Sequence, residues 1–240
     1  MPIQDDSREI QMIDRFNLVV PPDRRRGDID AHLKINGLDI PFELKSTTTG
    51  SIATVRDFGM SHIDKWRTQQ IHWLFGFYLN SESHADYFIY CSPKDMEKWY
   101  SSMERYIKPD IMLGKSLPEH VDSDLVKAIL GDKDVYTYED ARSIMKNQYT
   151  KEKYEKLMDL QENSKNGSPR LVGYSLQRMT VILRERAAYV IARGSTLNNP
   201  HIPENYFDGM PRITDEPAIK LREMVKNYLE NKQDTEEAAA

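Results

Sequence analysis

Asn36-Gly37 constrains the fold of this chain more than any other pair of residues. Asn-Gly is the strongest short-range signal for a two-residue hairpin turn, and alternating runs flank it in "RRRGDIDAHLKINGLDIPFELKS", Arg24 to Ser46. A turn of that length sets the register of both strands. Ile35 then faces Leu38, Lys34 faces Asp39, Leu33 faces Ile40 and Ala31 faces Phe42. Counting on, Asp30 falls opposite Glu43 and Asp28 opposite Lys45. These four project from one face, with Ile29 and Leu44 on the other, toward the core.

Facing carboxylates destabilise a ladder, by about 1–4 kcal/mol at a surface-like dielectric. Three remedies exist: a shared proton, screening by Lys45 and the arginines, or a divalent cation. A solvent-exposed hairpin with mixed charges is the plainer reading. Against it, Asp and Glu are poor strand formers, yet they sit mid-strand beside Ile29, Phe42 and Leu44. The next residues, "STTTGSIA", also offer hydroxyls and backbone N–H groups without bulk, which suits a nearby phosphate.

The remaining sequence limits what can surround this hairpin. With 39% hydrophobic and 10% aromatic residues, the 240-residue chain can build a real core. The single Cys91 excludes a disulfide framework and a cysteine-based zinc site. The N-terminal residues lack signal-peptide architecture and no apolar run reaches spanning length, so a soluble cytoplasmic protein without membrane attachment is expected. A net charge of −5 gives no bulk support for nucleic-acid binding, although Arg24-Arg25-Arg26 and the five arginines of 168–194, against the single acid Glu185, form local basic patches.

The pattern predicts a helix over 6–16, the hairpin, a polar loop, a helix over 60–69 capped by Ser61, and strands within 71–80 and 85–92 separated by the turn-like "SES". A helix opened by Pro93 follows, then helices near 122–131, 138–164, 172–193 and 216–231, with a frayed tail. The expected fold class is α/β, a mixed central sheet flanked by helices, with an α-rich C-terminal half. Residues 1–110 form the core and 111–240 a helical region for DNA recognition or dimerisation, together one compact body. No glycine-rich phosphate-binding signature is present.

"GDID" followed by "FELKS" resembles the PD-(D/E)xK nuclease motif, with Glu43-Leu44-Lys45 as its ExK element and Asp28 or Asp30 as the upstream aspartate. Gly27 stands where the family's name has proline. Element order resembles that superfamily's core over roughly residues 5–105. The turn geometry favours Asp30; Asp28 follows Gly27 at the strand's start, where the motif's aspartate often stands, and would otherwise hold a second metal or position the substrate. The resemblance implies Mg²⁺-dependent phosphodiester hydrolysis. Asp30 and Glu43 would be metal ligands, the Leu44 carbonyl a third, and Lys45 would orient or help deprotonate the attacking water. Glu9 matches an additional carboxylate of some members, but reads first as a surface helix residue.

Residues placed to grip DNA are Ser46, Thr47, Thr48, Thr49 and Ser51, then Arg56, Lys65, Arg67 and Gln69 on the following loop and helix, and Arg178 on the arginine-bearing helix. His62 and His72 lack metal-ligand spacing, and Trp66, Trp73 and Trp99 fall at core positions. The extra α-rich half favours a type II restriction endonuclease, a homodimer cutting double-stranded DNA at a short specific sequence. The alternatives are a structure-selective repair or Holliday-junction nuclease of the same superfamily, and a non-catalytic DNA-binding protein.

Overall fold

The computed structural model describes residues 3–24, 28–80, 83–163, 169–194 and 196–239. Arg25 and Arg26 of the basic patch, Gly27, and Ser81 and Glu82 of the expected turn lie outside these. The architecture is mixed α/β, as the sequence pattern implies: a five-stranded mixed sheet with flanking helices. Helix α1 (Ile3–Phe16) precedes the hairpin β1 (Ala31–Ile35) and β2 (Leu38–Thr47). Asn36 and Gly37 have φ of 51° and 77°, the left-handed conformation that a tight hairpin turn demands. The pairs run from Ile35–Leu38 to Ala31–Phe42, in the predicted register.

After β2 come the short β3 (Ile52–Ala53), α2 (Met60–Thr68), β4 (His72–Phe77), β5 (Tyr87–Cys91) and α3 (Pro93–Ser116). Strand β4 lies parallel to β2, which requires a crossover, and the segment carrying α2 supplies it. Every residue of β4 and β5 is buried, because helices cover both faces of the central strands. On one face Phe42, Leu44, Leu74 and Phe88 pack with Met12 and Phe16 of α1. On the other, the indoles of Trp66 and Trp73 meet edge to face at 4.9 Å, and the Trp73 N–H donates to the Tyr100 hydroxyl at 2.6 Å. The expected core tryptophans are therefore core. His72 is also structural, its Nδ1 2.7 Å from the buried Tyr90 hydroxyl.

The chain divides into two compact units: residues 1–105 with 197–240, and residues 106–196. This departs from an N-terminal core followed by a helical half. The last stretch returns to the first unit through β8 (His201–Ile202), β9 (Arg212–Ile213) and α8 (Pro217–Ala239). Strand β9 completes the sheet on β5, and Leu221 and Val225 of α8 join the core with Met12 and Phe16. A two-residue strand has no periodicity to read, and an amphipathic helix does not announce which apolar surface it will cover.

The second unit has its own core, with Val126, Tyr136, Ile144, Met145, Tyr154 and Ile182 among its residues. Its elements include α4 (Ser123–Leu130), α5 (Tyr138–Met145), α6 (Lys151–Leu157), β6 (Leu160–Asn163), β7 (Pro169–Gly173) and α7 (Leu176–Gly194). The helix expected over 138–164 is broken. Lys146 and Asn147 take positive φ, Thr150 caps α6 by accepting from the Lys153 N–H, and Leu160–Asn163 pairs with Pro169–Gly173 as a hairpin. The cap of α2 differs as well: Gly59 is the N-cap, its N–H donating to His62 Nδ1 at 3.3 Å. Among the described residues no helix is long and apolar enough to cross a membrane.

Candidate active site

The face of β2 that carries Glu43, Lys45 and Thr47 is where the expected charges meet. The strand ladder stops at Ala31–Phe42, so Asp30 stands just before β1, yet its side chain still reaches β2. The Leu44 N–H donates to Asp30 Oδ2 at 2.8 Å, which fastens that carboxylate to the strand bearing Glu43 and Lys45. Lys45 Nζ lies 2.7 Å from Glu43 Oε1 and 3.6 Å from Asp30 Oδ2, and it donates to the Leu44 carbonyl at 3.1 Å. The three oxygen donors expected to bind a metal thus converge on one cationic nitrogen.

Asp30 and Glu43 are both 6% exposed, whereas Asp28 is an exposed residue and the ladder does not extend to an Asp28–Lys45 pair. The chain leaves strand geometry before Ala31, so the alternation that would have set Asp28 over Lys45 ends with it. Of the two aspartates, Asp30 is the one gathered with Glu43 and Lys45.

Burial raises the pKa of the Glu43 carboxyl above the ordinary glutamate value, and Asp30 pushes it the same way, while Lys45 opposes and Lys65 of α2 adds a weaker opposing pull. For Lys45, burial disfavours the ammonium, but Glu43 and Asp30 outweigh it and the pKa rises. The sequence leaves the direction of that shift open. In this structure the carboxylates prevail, so Lys45 is a charged donor at neutral pH.

Glu9 is not a bystander. Arg24 joins it to the site, with one guanidinium nitrogen on Glu9 Oε1 and the other on Asp30 Oδ1. The signal for this is present in the sequence. Glu9, Met12, Ile13 and Phe16 recur at helical spacing along one face of α1, and Met12 and Phe16 lie in the core beneath the sheet. A glutamate at the end of a core-facing stripe is held close to the strands.

The expected DNA contacts divide. Arg56 and Gln69 are exposed and Lys65 is half-buried. Arg67 is engaged by α3, 2.5 Å from Glu97 and 2.8 Å from Glu104. In the loop after β2, Thr49 is exposed, Ser46 and Thr48 are half-buried and Thr47 is buried. The Thr47 hydroxyl donates to the Ser51 carbonyl at 2.8 Å and accepts from the Thr49 N–H at 3.1 Å. Ser51 Oγ lies 3.2 Å from His201 Nδ1. Arg178 belongs to the second unit, 3.7 Å from Asp159.

Two carboxylates and a peptide carbonyl are hard oxygen donors suited to Mg²⁺. Among the described residues no three His, Cys, Asp or Glu side chains form a ready metal cage. The fit rests on Asp30, Glu43 and the Leu44 carbonyl, with water completing the shell. Neither a scan against protein-family models nor a search of curated proteins finds a match for this chain.

Proposed function

We propose that this chain is a Mg²⁺-dependent endonuclease of the PD-(D/E)xK type, acting as a homodimer that hydrolyses phosphodiester bonds of double-stranded DNA at a short specific sequence. The observation that carries this reading is the convergence of Asp30 Oδ2, Glu43 Oε1 and the Leu44 carbonyl on Lys45 Nζ at 3.6, 2.7 and 3.1 Å. A group of oxygens that gathers around an ammonium has the charge and composition to gather around a divalent cation.

When bound, Mg²⁺ supplies Lewis-acid activation of water and neutralises charge growing on the phosphate. Asp30, held by the Leu44 amide, and Glu43 would be its protein ligands, with the Leu44 carbonyl as the third. Glu43 has to be ionised for this role, against its raised pKa. Lys45, being charged, donates rather than abstracts: it orients the attacking water and stabilises negative charge on the scissile phosphate. Arg56, Lys65 and Gln69 are the polar side chains of the following loop and helix that could meet the duplex.

The test is incubation with Mg²⁺ and a long duplex, followed by mapping of product ends. Discrete fragments with fixed end sequences, lost on chelation, are expected. Cutting confined to branched or damaged DNA would replace sequence-specific cleavage by a repair or junction activity. No cleavage with Mg²⁺ or Mn²⁺ would overturn the enzymatic reading.

A further inference from the structure

Resting on that reading, Asp30 has to be oriented by something other than strand pairing, because the ladder ends at Ala31–Phe42. Two contacts set its carboxylate. The Leu44 N–H donates to Oδ2 at 2.8 Å, and a guanidinium nitrogen of Arg24 donates to Oδ1. One contact leaves a carboxylate free to swing about the bonded oxygen; a second, on the other oxygen, fixes its plane. Oδ2 is the oxygen that faces Lys45 at 3.6 Å, so Arg24 acts from behind the convergence and occupies none of it.

Arg24 is itself held. Its other terminal nitrogen donates to Glu9 Oε1 on α1, and a planar fork bonded at both arms has a defined orientation. Helix α1 is fixed by Met12 and Phe16, both buried in the core beneath the sheet. The segment leaving it is tied as well. The Leu18 N–H donates to the Ile13 carbonyl at 2.9 Å, and Val19 and His32 exchange two backbone bonds of 2.8 Å. A line of contacts therefore runs from the core through Glu9 and Arg24 to Asp30. An ion pair that merely fastened this segment to α1 would need no third member, yet here the third member is the buried Asp30.

We propose that Arg24 and Glu9 are positioning residues: Arg24 fixes the Asp30 carboxylate in the plane that turns Oδ2 toward Lys45, and Glu9 holds Arg24 in place to do so. Glu9 then acts through Arg24 and not as a further ligand.

Hydrogen exchange of the Leu44 amide in the full chain reads the Asp30 orientation independently of cleavage. In Arg24→Ala it should speed up roughly tenfold, the scale of weakening one hydrogen bond to a charged acceptor, while the other amides of β2 keep their rates. Glu9→Ala should move it the same way by about threefold. Added to Arg24→Ala, it should change the rate by less than about twofold, because its effect passes through Arg24. In cleavage assays Arg24→Ala should lower kcat roughly tenfold with KM for the duplex within about twofold. Arg24→Lys keeps the charge but cannot span both carboxylates, and should recover only part of both losses. Should Arg24→Ala not fold, Arg24→Lys and Glu9→Ala carry the same comparison.

Unchanged Leu44 exchange in the folded variants would overturn the positioning, even if they melted at lower temperature; loss of cleavage in Glu43→Ala would still leave the site standing. A lower kcat with unchanged exchange would mean that Arg24 meets the substrate itself, and would overturn it equally. Full recovery in Arg24→Lys would reduce the effect to charge and overturn the bridge. A further loss of about tenfold on adding Glu9→Ala to Arg24→Ala would overturn the role of Glu9 as holder. If the unaltered protein cuts no DNA while exchange responds as expected, the nuclease reading falls and the positioning of Asp30 stands.

Discussion

In the hairpin, charges contributed by both sides of a turn are gathered within 3.6 Å of one ammonium. In the loop that follows, the side chains expected to meet DNA turn toward the chain itself: Thr47 to the Ser51 carbonyl, Ser51 to His201. The loop is braced from outside as well. Thr54 donates to the Pro200 carbonyl at 2.6 Å, β3 pairs with β8, and a Cβ on Gly50 would lie 2.6 Å from the Glu204 carboxylate. Both stretches are polar and neighbours in sequence. Their fates differ because the hairpin's charges are gathered across a two-residue turn, while the loop closes partly on its own backbone and partly on residues about 150 positions away.

The largest expected effect concerns the hairpin's side of this contrast. Lys45→Ala, Glu43→Ala and Asp30→Ala should each lower the cleavage rate by at least about a hundredfold while the chain remains folded by circular dichroism. Asp28→Ala should cost clearly less. Equal losses at Asp28 and Asp30 would erase the distinction that burial draws between them.

The next effect is on metal affinity. Because Glu43 has a raised pKa, a cation that binds its carboxylate must displace a proton over a range extending above the ordinary glutamate value. Mn²⁺ affinity should therefore climb with pH through that range, approaching roughly tenfold per pH unit below the raised pKa and levelling above it. Titrations at several pH values check this, and Glu43→Gln should remove that part of the slope.

Gly50→Ala probes the loop. Gly50 has φ of +87°, so an added methyl meets backbone strain, while the flexible end of the Glu204 side chain over it has to shift aside. A loss of about 1–3 kcal/mol of stability is expected in denaturant titration. Stability unchanged from the unaltered protein would mean the loop does not hold Gly50 in its left-handed conformation.

The smallest effect separates α2 from the DNA-contact expectation. Arg67→Ala breaks ion pairs to Glu97 and Glu104 that are partly exposed, and should lower stability by about 1 kcal/mol or less. Its effect on DNA binding should be smaller than that of Arg56→Ala. The reverse ranking in a fluorescence-anisotropy titration would return Arg67 to the DNA-facing set.

Most of the first unit's strands and helices can be read from the sequence, because each has a strong local pattern: the Asn36-Gly37 turn, the apolar runs of β4 and β5, the Pro93 start of α3. The break in the helix expected over 138–164 is less legible, since it depends on positive φ at Lys146 and Asn147. The residues of β9 and the core side of α8 carry no signal of which surface they complete.

For the site, the register and the gathering of Asp30, Glu43 and Lys45 on one face follow from the Asn36-Gly37 turn, because a two-residue turn admits one pairing and side chains alternate along a strand. Three features come from packing and not from spacing. It ended the strand before Asp30, leaving Asp28 exposed; it raised the Lys45 pKa through neighbouring carboxylates; and it set Arg24 across Glu9 and Asp30. The first and third depend on the position of α1 and of the segment before β1, which is fixed by packing of Met12 and Phe16 into the core and by the Val19–His32 bridge. Non-directional burial of this kind leaves little in sequence spacing to announce it.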